Sequence, residues 1–150
     1  MHTIFDDIVS GEMKSWQVWE NEKFLAFLTS FPNTPGFTVV IPKHNAGDYI
    51  FGIDDELYIE FMKAAKTVAK ILEKAFETPR IAMIFEGTGV AHVHAKLIPL
   101  HGNLANETGV WSPHKEFHEQ YSGWLTTAEG PKMADEELDA IQAKIRSVKI

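Results

Sequence analysis

Residues 91–102 of this chain read A-H-V-H-A-K-L-I-P-L-H-G, and the spacing within this stretch decides both the predicted fold and the candidate site. Side chains alternate between the two faces of a β-strand. The stretch is therefore predicted to be a strand that carries His92, His94 and Lys96 on one face. Three titratable side chains in one row indicate a functional site. The opposite face is predicted to be the core side and carries Ala91, Val93, Ala95, Leu97 and Pro99.

The segments that precede this strand predict an α+β fold. Thr3 is expected to cap a short helix that runs to about Ser10 and ends at Gly11. Aromatic and β-branched runs separated by turn residues predict an antiparallel meander. These runs are residues 16–20, 24–28 and 37–41.

A long amphipathic helix is predicted from about Asp54 to Phe76, because apolar residues recur there at intervals of three or four. It should lie across one face of the sheet. Arg80 to Phe85 is predicted to be the fourth strand, and the histidine strand would be the fifth. The expected sheet is therefore five-stranded and mainly antiparallel.

The last third of the chain has a weaker pattern. Asn103 to Pro131 is expected to be mostly ordered loop with one strand near Tyr121 to Thr126, and an extra C-terminal helix should start near Asp135. Its aromatic and imidazole side chains suggest two alternatives, a cover over the site or an exposed loop packed on the sheet edge. The residues concerned are His101, Trp111, His114 and His118.

Composition sets broad limits on the class of protein. With 150 residues, 45% of them hydrophobic, the chain fits one compact domain, and no apolar run reaches the roughly 20 residues that span a bilayer. A net charge of −7 argues against broad binding to nucleic acid. There is no cysteine and no signal-peptide pattern, so we expect a cytoplasmic protein without a membrane partner.

The histidine pair by itself leaves three interpretations open. Two neutral imidazoles on one strand face could hold a metal ion, but His101 lies on the opposite face and Lys96 would add a cation. Alternatively, one histidine is a surface residue and the other a hydrogen-bonded structural residue. In the third interpretation His94 attacks phosphorus while nearby cations stabilise the phosphate, and His44 at a strand end is a further candidate.

Several separated motifs resemble the histidine triad (HIT) family of nucleotide hydrolases and transferases. They are I-P-K-H at 41–44, P-N-T-P-G at 32–36, H-V-H at 92–94, I-F-D-D-I-V-S-G-E near the start, and F-L-A-F-L at 24–28. The motifs occur in the order found in that family. The resemblance runs from about Thr3 to Pro99 and implies a HIT-like fold and a homodimer.

The resemblance also implies roles for individual residues. His94 corresponds to the nucleophile that attacks the α-phosphorus of a nucleotide, and His92 and His44 correspond to histidines that orient it through hydrogen bonds. No metal or cofactor is required. Five apolar residues match positions that hold the base and ribose, although ordinary core packing would also explain them: Ile4, Phe5, Ile8, Phe27 and Leu28.

This sequence departs from the family pattern at four places. Lys96 stands at the third triad position, Thr29 replaces an aspartate that grips the ribose hydroxyls, and Phe85 replaces an asparagine. The turn after it is shorter and lacks the family's hydroxyl and amide donors, which leaves the backbone around Gly87 and Gly89 to meet the phosphate. We therefore expect a divergent branch, in which Lys96 offers a cation to the phosphate.

The sequence as a whole predicts one HIT-like domain over residues 1–150, with a core of about 3–102 and an extension over 103–150. The predicted function is hydrolysis or transfer of a nucleoside monophosphate group through a nucleotidyl-histidine intermediate. Dinucleoside polyphosphates and nucleoside phosphoramidates are the candidate substrates. The alternatives are a nucleotide-binding protein without catalysis, a phosphorylase or transferase whose acceptor is not water, and a metal-binding protein.

Overall fold

A computed structural model describes residues 1–121, 123, 125, 134 and 136. The chain divides into two compact units, Met1–Gly109 and Val110–Ile150. Within the residues that the structure describes, the helices and strands lie in the first unit, apart from one helical residue at position 136. Its elements in chain order are α1 (Ile4–Ser10), β1 (Trp16–Glu20), β2 (Phe24–Leu28), β3 (Thr38–Pro42), a 3-10 turn at Ile50–Gly52, α2 (Asp55–Ala75), β4 (Ile81–Ile84), β5 (Ala95–Pro99) and α3 (Asn103–Asn106).

The five strands form one antiparallel sheet in the order β1-β2-β3-β5-β4. The expected α+β class and five-stranded sheet are confirmed. The register aligns Phe27 with Val39, Val39 with Lys96, and Lys96 with Ile84. These four residues form a row across the sheet, and this row carries part of the site described below.

The sheet is covered differently on its two faces. Helix α2 packs on one face, where alternate strand residues meet Phe61, Val68 and Leu72 in the larger core cluster. Its predicted apolar spacing is confirmed. Helix α1 packs on the opposite face through Phe5 and Ile8. The strand residues beneath α1 are Leu25, Phe27, Val39 and Ile41.

Both helices begin at the predicted capping residues. The Asp54 carboxylate accepts a hydrogen bond from the main-chain N–H of Leu57 at the start of α2 (2.9 Å). At the start of α1, the Asp6 carboxylate accepts from both the main-chain N–H and the hydroxyl of Thr3 (2.6 and 2.8 Å). Gly11 then ends α1 in the left-handed conformation that only glycine adopts freely.

The histidine strand is shorter than predicted, because β5 begins at Ala95 and both His92 and His94 precede it. Its neighbour β3 ends at Pro42, which has no main-chain N–H to continue the ladder. The predicted alternation still holds for Val93, which packs in the α2 core. It fails at Ala91, which is exposed.

A tight corner joins the turn before β3 to the end of α2. Gly36 adopts φ +82°, and a Cβ at this position would lie 2.3 Å from the Phe76 ring. The His101 ring packs edge-on against Phe76 (5.6 Å between ring centres), and its Nε2 donates to the carbonyl of Pro35 (2.9 Å). His101 therefore has a structural partner at this corner. The sequence did not predict the short helix α3 that follows it.

In the second unit, Glu116 pairs with both His114 (2.7 Å) and His118 (3.1 Å). The predicted helix from Asp135 onward, apart from residue 136, and half of the predicted strand at Tyr121 to Thr126 lie outside the described residues. The proposed role of this region as a cover stays a prediction. No helix in the described part of the chain is long and apolar enough to cross a membrane.

Candidate active site

A cavity of about 460 Å³ lies on the α1 face of the sheet. This volume falls within the usual range for a small-molecule site. Its walls come from α1, from the segment after α1, from the end of β2 and from the segment between β4 and β5. Among the residues predicted from the sequence, nine line it: Ile4, Phe5, Ile8, Phe27, Leu28, Thr29, Gly89, His94 and Lys96.

His94 is the predicted nucleophile, and it is buried against the cavity with 6% of its surface exposed. Its Nδ1 lies 2.8 Å from the main-chain carbonyl oxygen of His92. A carbonyl oxygen only accepts hydrogen bonds, so Nδ1 must carry the proton. In the neutral ring Nε2 then keeps its lone pair, which is the form required for nucleophilic attack.

The imidazole of His92 is fully buried and does not contact His94 by hydrogen bonding. Its Nε2 donates instead to the carbonyl oxygen of Pro42 (2.8 Å), and its Nδ1 faces Thr3 Oγ1 at 3.5 Å. Burial is the main cause that lowers the pKa of His92, although Asp6 opposes this effect. The resemblance implied that His92 orients His94 through a hydrogen bond, and the hydrogen bond present between the two residues is made by the main-chain carbonyl of His92.

The segment that carries the two histidines is held in place although it lies outside the sheet ladder. The main-chain N–H of Val93 donates to the carbonyl of Gly47 (2.6 Å), and the Asn45 amide donates to the carbonyl of Ala91 (3.0 Å). The Phe5 ring packs edge-on against both imidazoles, with ring centres 5.7 Å from His92 and 5.4 Å from His94. These contacts fix the orientation of both rings.

Besides the buried His92, two predicted site residues lie outside the cavity lining. His44 is exposed and lines a separate polar groove together with Lys23 and Glu60. It is still close enough for its charge to lower the pKa of His92. Gly87 faces the carbonyl oxygen of Asp48, which would lie 3.7 Å from a Cβ at that position. The geometry therefore gives neither residue direct contact with a ligand in the cavity.

Lys96 forms an ion pair with Glu86 inside the cavity. Their side chains are 27% and 19% exposed, respectively. Burial lowers the pKa of Lys96, whereas a facing carboxylate favours the charged ammonium. The sequence analysis placed Lys96 beside the phosphate but did not identify Glu86 as its partner.

Sequence reasoning also missed other residues of the cavity wall. Thr88 lines the cavity, so the turn does bring a hydroxyl group, contrary to the expectation that it offers only backbone donors. At the far end Lys14 lies over the Trp16 ring (5.3 Å from ammonium to ring centre) beside Asn33. One feature of the sequence could have identified Glu86. It lies two residues after Ile84, and in an extended segment two residues at this spacing lie on the same face.

The cavity offers no evident metal site. Within the residues that the structure describes, no group of three or more histidine and acidic side chains is arranged to hold a metal ion. Nothing in the described geometry therefore favours the metal-binding alternative. What the arrangement can supply is a buried imidazole with a fixed tautomer, an ammonium group, a hydroxyl group and an apolar wall.

Comparison with known proteins points to one family. A family model described as the HIT domain matches residues 10–103. The Bacillus subtilis (strain 168) protein named Protein hit is 30% identical to this chain over 118 residues, which cover 75% of this chain and 81% of that protein. The Arabidopsis thaliana protein named Adenylylsulfatase HINT1 is 33% identical over 102 residues, covering 64% of this chain and 69% of that protein.

Solved structures give the same result. The crystal structure of a member of the HIT family of proteins from Bacillus subtilis superposes on this chain with a TM-score of 0.67 at 26% identity. The match covers 100% of this chain and 99% of that chain.

Proposed function

This chain belongs to the HIT family, and from that membership we propose that it hydrolyses or transfers a nucleoside monophosphate group through His94. The observation that supports this proposal best is the hydrogen bond of 2.8 Å from His94 Nδ1 to the carbonyl of His92. It leaves Nε2 unprotonated in the neutral ring, next to a cavity large enough for a nucleotide.

In the proposed first step, His94 Nε2 attacks the α-phosphorus and the bond to the leaving group breaks. Water or another acceptor then attacks the nucleotidyl-imidazole and releases His94. Lys96 and the Thr88 hydroxyl line the cavity near His94 and would stabilise charge on the phosphate oxygens. The apolar wall formed by Ile4, Phe5 and Phe27 would hold the base.

His92 and His44 take indirect roles in this proposal. His92 fixes the segment that carries His94, because its imidazole is bonded to Pro42 at the end of β3. His44 lines a separate groove, so this proposal gives it no contact with the substrate. Since Lys96 replaces the third histidine, we place the chain in a divergent branch of the family.

The proposal is tested by intact-mass spectrometry after brief exposure to nucleotides. Adenosine and guanosine phosphoramidates, dinucleoside polyphosphates and adenylyl sulfate would be compared, because their leaving groups differ. Wild type should gain the mass of one nucleoside monophosphate. His94→Asn keeps a donor for the His92 carbonyl but has no nucleophile, so it should gain none and lose turnover by on the order of 10⁴-fold.

The matched control is His101→Asn, which changes a histidine bonded to Pro35 outside the cavity. This variant should still form the adduct. An adduct on His94→Asn would exclude His94 as the nucleophile. Tight nucleotide binding by wild type without adduct or product would instead support a binding protein without catalysis, an alternative that the changes at Lys96 and Thr29 would allow.

We further propose a homodimer, from the family resemblance alone. Light scattering coupled to gel filtration would give the mass of the particle directly. A mass of 16.9 kDa would be that of a monomer and would exclude the dimer.

A further inference from the structure

The Glu86–Lys96 ion pair lies in the same cavity as the proposed nucleophile. Four titratable or charged side chains line this cavity in the described part of the chain: Lys14, Glu86, His94 and Lys96. Glu86 is thus the one carboxylate in the described lining. A carboxylate in a phosphate site repels the ligand, so its presence calls for a chemical explanation.

The sheet register explains how Glu86 reaches Lys96. Ile84 at the end of β4 is aligned with Lys96 on β5. Phe85 then turns into the α2 core, where its ring lies 5.2 Å from the Phe61 ring. Glu86 consequently returns to the cavity face beside Lys96. The cross-strand neighbours of Lys96 are Val39 and Ile84, and neither carries a charge.

We propose that Glu86 is a positioning residue for Lys96, and that Lys96 thereby donates a proton to the leaving group and later recovers one from water. This inference rests on the proposed function. It gives the pair the proton-transfer step that lysine alone would perform poorly, because its four-carbon chain is flexible. Burial, and not Glu86, lowers the pKa of Lys96 toward the range useful for proton transfer.

The proton and electron balance closes without any further reactant except water. As His94 Nε2 forms its bond to phosphorus, the bond from phosphorus to the leaving atom breaks, and that atom keeps the electron pair. A proton from Lys96 Nζ goes to the leaving atom, which leaves a neutral amine. In the second step water attacks phosphorus, its proton goes to Lys96 Nζ, and the electron pair of the phosphorus–nitrogen bond returns to His94.

Glu86 contributes position and charge to this cycle. The ammonium group has three hydrogens, so one bond to Glu86 leaves two for the substrate. The carboxylate also keeps Lys96 protonated in the resting protein against the effect of burial, which lowers the pKa of Lys96. The other titratable or charged groups in the described lining of the cavity are His94 and Lys14.

The test compares two substrates that differ only in the leaving group: an alkyl phosphoramidate and a p-nitrophenyl ester of the same nucleoside monophosphate. The amine must be protonated to leave, whereas p-nitrophenolate leaves without a proton. Glu86→Gln should lower kcat for the phosphoramidate by about 10²-fold and kcat for the ester by no more than about threefold. Lys96→Met also removes the cation that stabilises the phosphate charge, so it should lower kcat for both substrates, and kcat for the phosphoramidate by about 10²-fold more.

Two further readouts separate positioning from a structural role. Glu86→Asp keeps the carboxylate, so it should recover at least about a tenth of the phosphoramidate activity of wild type. In Glu86→Gln the alkaline limb of the kcat profile should move to lower pH, since Lys96 loses the charge that favours its protonated form.

The outcomes distinguish a failure of the positioning role of Glu86 from a failure of the proposed function. Equal losses on the two substrates, or an unshifted pH profile, would overturn the positioning role of Glu86 while an adduct on His94 still supports the proposed function. If the Glu86→Gln and Lys96→Met variants keep the full activity of wild type, the positioning role of Glu86 is likewise overturned. If wild type forms neither adduct nor product with either substrate, the proposed function and this inference both fail.

Discussion

The Nδ1 nitrogen of His94 is bonded at 2.8 Å to the main-chain carbonyl of His92, while the His92 side chain is bonded at 2.8 Å to Pro42. His92 therefore makes two separate structural contacts, one through its backbone and one through its side chain. Its backbone fixes the tautomer of His94, and its imidazole joins the segment to the end of β3. The two contacts can be separated by mutation, because a substitution at His92 removes only the imidazole.

Replacement of His92 by alanine should destabilise the fold strongly. The side chain is 0% exposed, so its removal leaves a cavity and an unpaired Pro42 carbonyl. We expect a loss of about 2–4 kcal/mol in the free energy of unfolding, measured by urea denaturation. His44→Ala is the matched control on an exposed histidine and should change stability by less than about 0.5 kcal/mol. Similar losses in the two variants would contradict the anchoring role of His92.

The burial of His92 should also make stability depend on pH. Its pKa is lowered in the folded protein, so the unfolded chain binds the proton more tightly. Stability should be complete above the unfolded pKa of about 6.5 and should fall as the pH drops from there toward the folded pKa. Urea denaturation between pH 8 and pH 5 measures this loss, and His92→Asn should reduce the slope. An identical slope in wild type and variant would assign the dependence to other groups.

Thr29 should determine how strongly the sugar is recognised, if the proposed function holds. Its Oγ1 accepts a hydrogen bond from the main-chain N–H of Phe31 (3.2 Å), and an aspartate could accept the same bond. Thr29→Asp should therefore fold and bring a carboxylate to the ribose hydroxyls. We expect the ratio of kcat/KM for a ribonucleotide over its 2′-deoxy analogue to rise by about tenfold, since a hydrogen bond to a charged group contributes about 1.5 kcal/mol or more.

The matched control at this position is Thr29→Asn, which has nearly the same shape without the charge. Its ratio should stay within about threefold of wild type, because a neutral hydrogen bond contributes less. An unchanged ratio in Thr29→Asp would place the sugar away from Thr29.

The corner at Gly36 should tolerate no side chain. Gly11 and Gly36 share a φ of +82°, but a Cβ at Gly11 meets no atom within 4 Å, whereas at Gly36 it would lie 2.3 Å from the Phe76 ring. Gly11→Ala should lower the free energy of unfolding by about 1 kcal/mol, because alanine is strained in this backbone conformation. Gly36→Ala should lower the free energy of unfolding by about 1–3 kcal/mol more than Gly11→Ala, because its Cβ also clashes with the Phe76 ring. Equal melting temperatures in the two variants would show that Phe76 moves aside without strain.

Most of the fold could be predicted from the sequence. The helix α1 and the strands β1 and β2 have the predicted bounds, because caps, turn residues and alternation all agree in these segments. The long helix was predicted to within a residue at each end for the same reason. The predicted start of the histidine strand was wrong because β5 begins where its pairing with β3 begins, at Ala95 opposite Val40, and such long-range pairing leaves no mark in the local pattern.

The site could be predicted only in part. The apolar wall and His94 follow from the resemblance, and the cavity brings them together. His94 was expected to be exposed on a strand, yet it is buried, because helix α1 covers this end of the sheet through Phe5. Glu86 could not be found by inspection of motifs, since its partner Lys96 lies ten positions further along the chain, across a turn.

His94 stands between Val93 and Ala95, and both of these neighbours are packed in the α2 core. The position of the His94 imidazole is therefore set by the volume of the side chains beneath the sheet. A methyl group gained or lost in that layer would move the imidazole without touching the cavity. If the proposed function holds, many inactive clones in a random library screened for lost turnover should consequently carry changes in the apolar layer under α2, and positions that look catalytic in such a screen would outnumber those that meet the ligand.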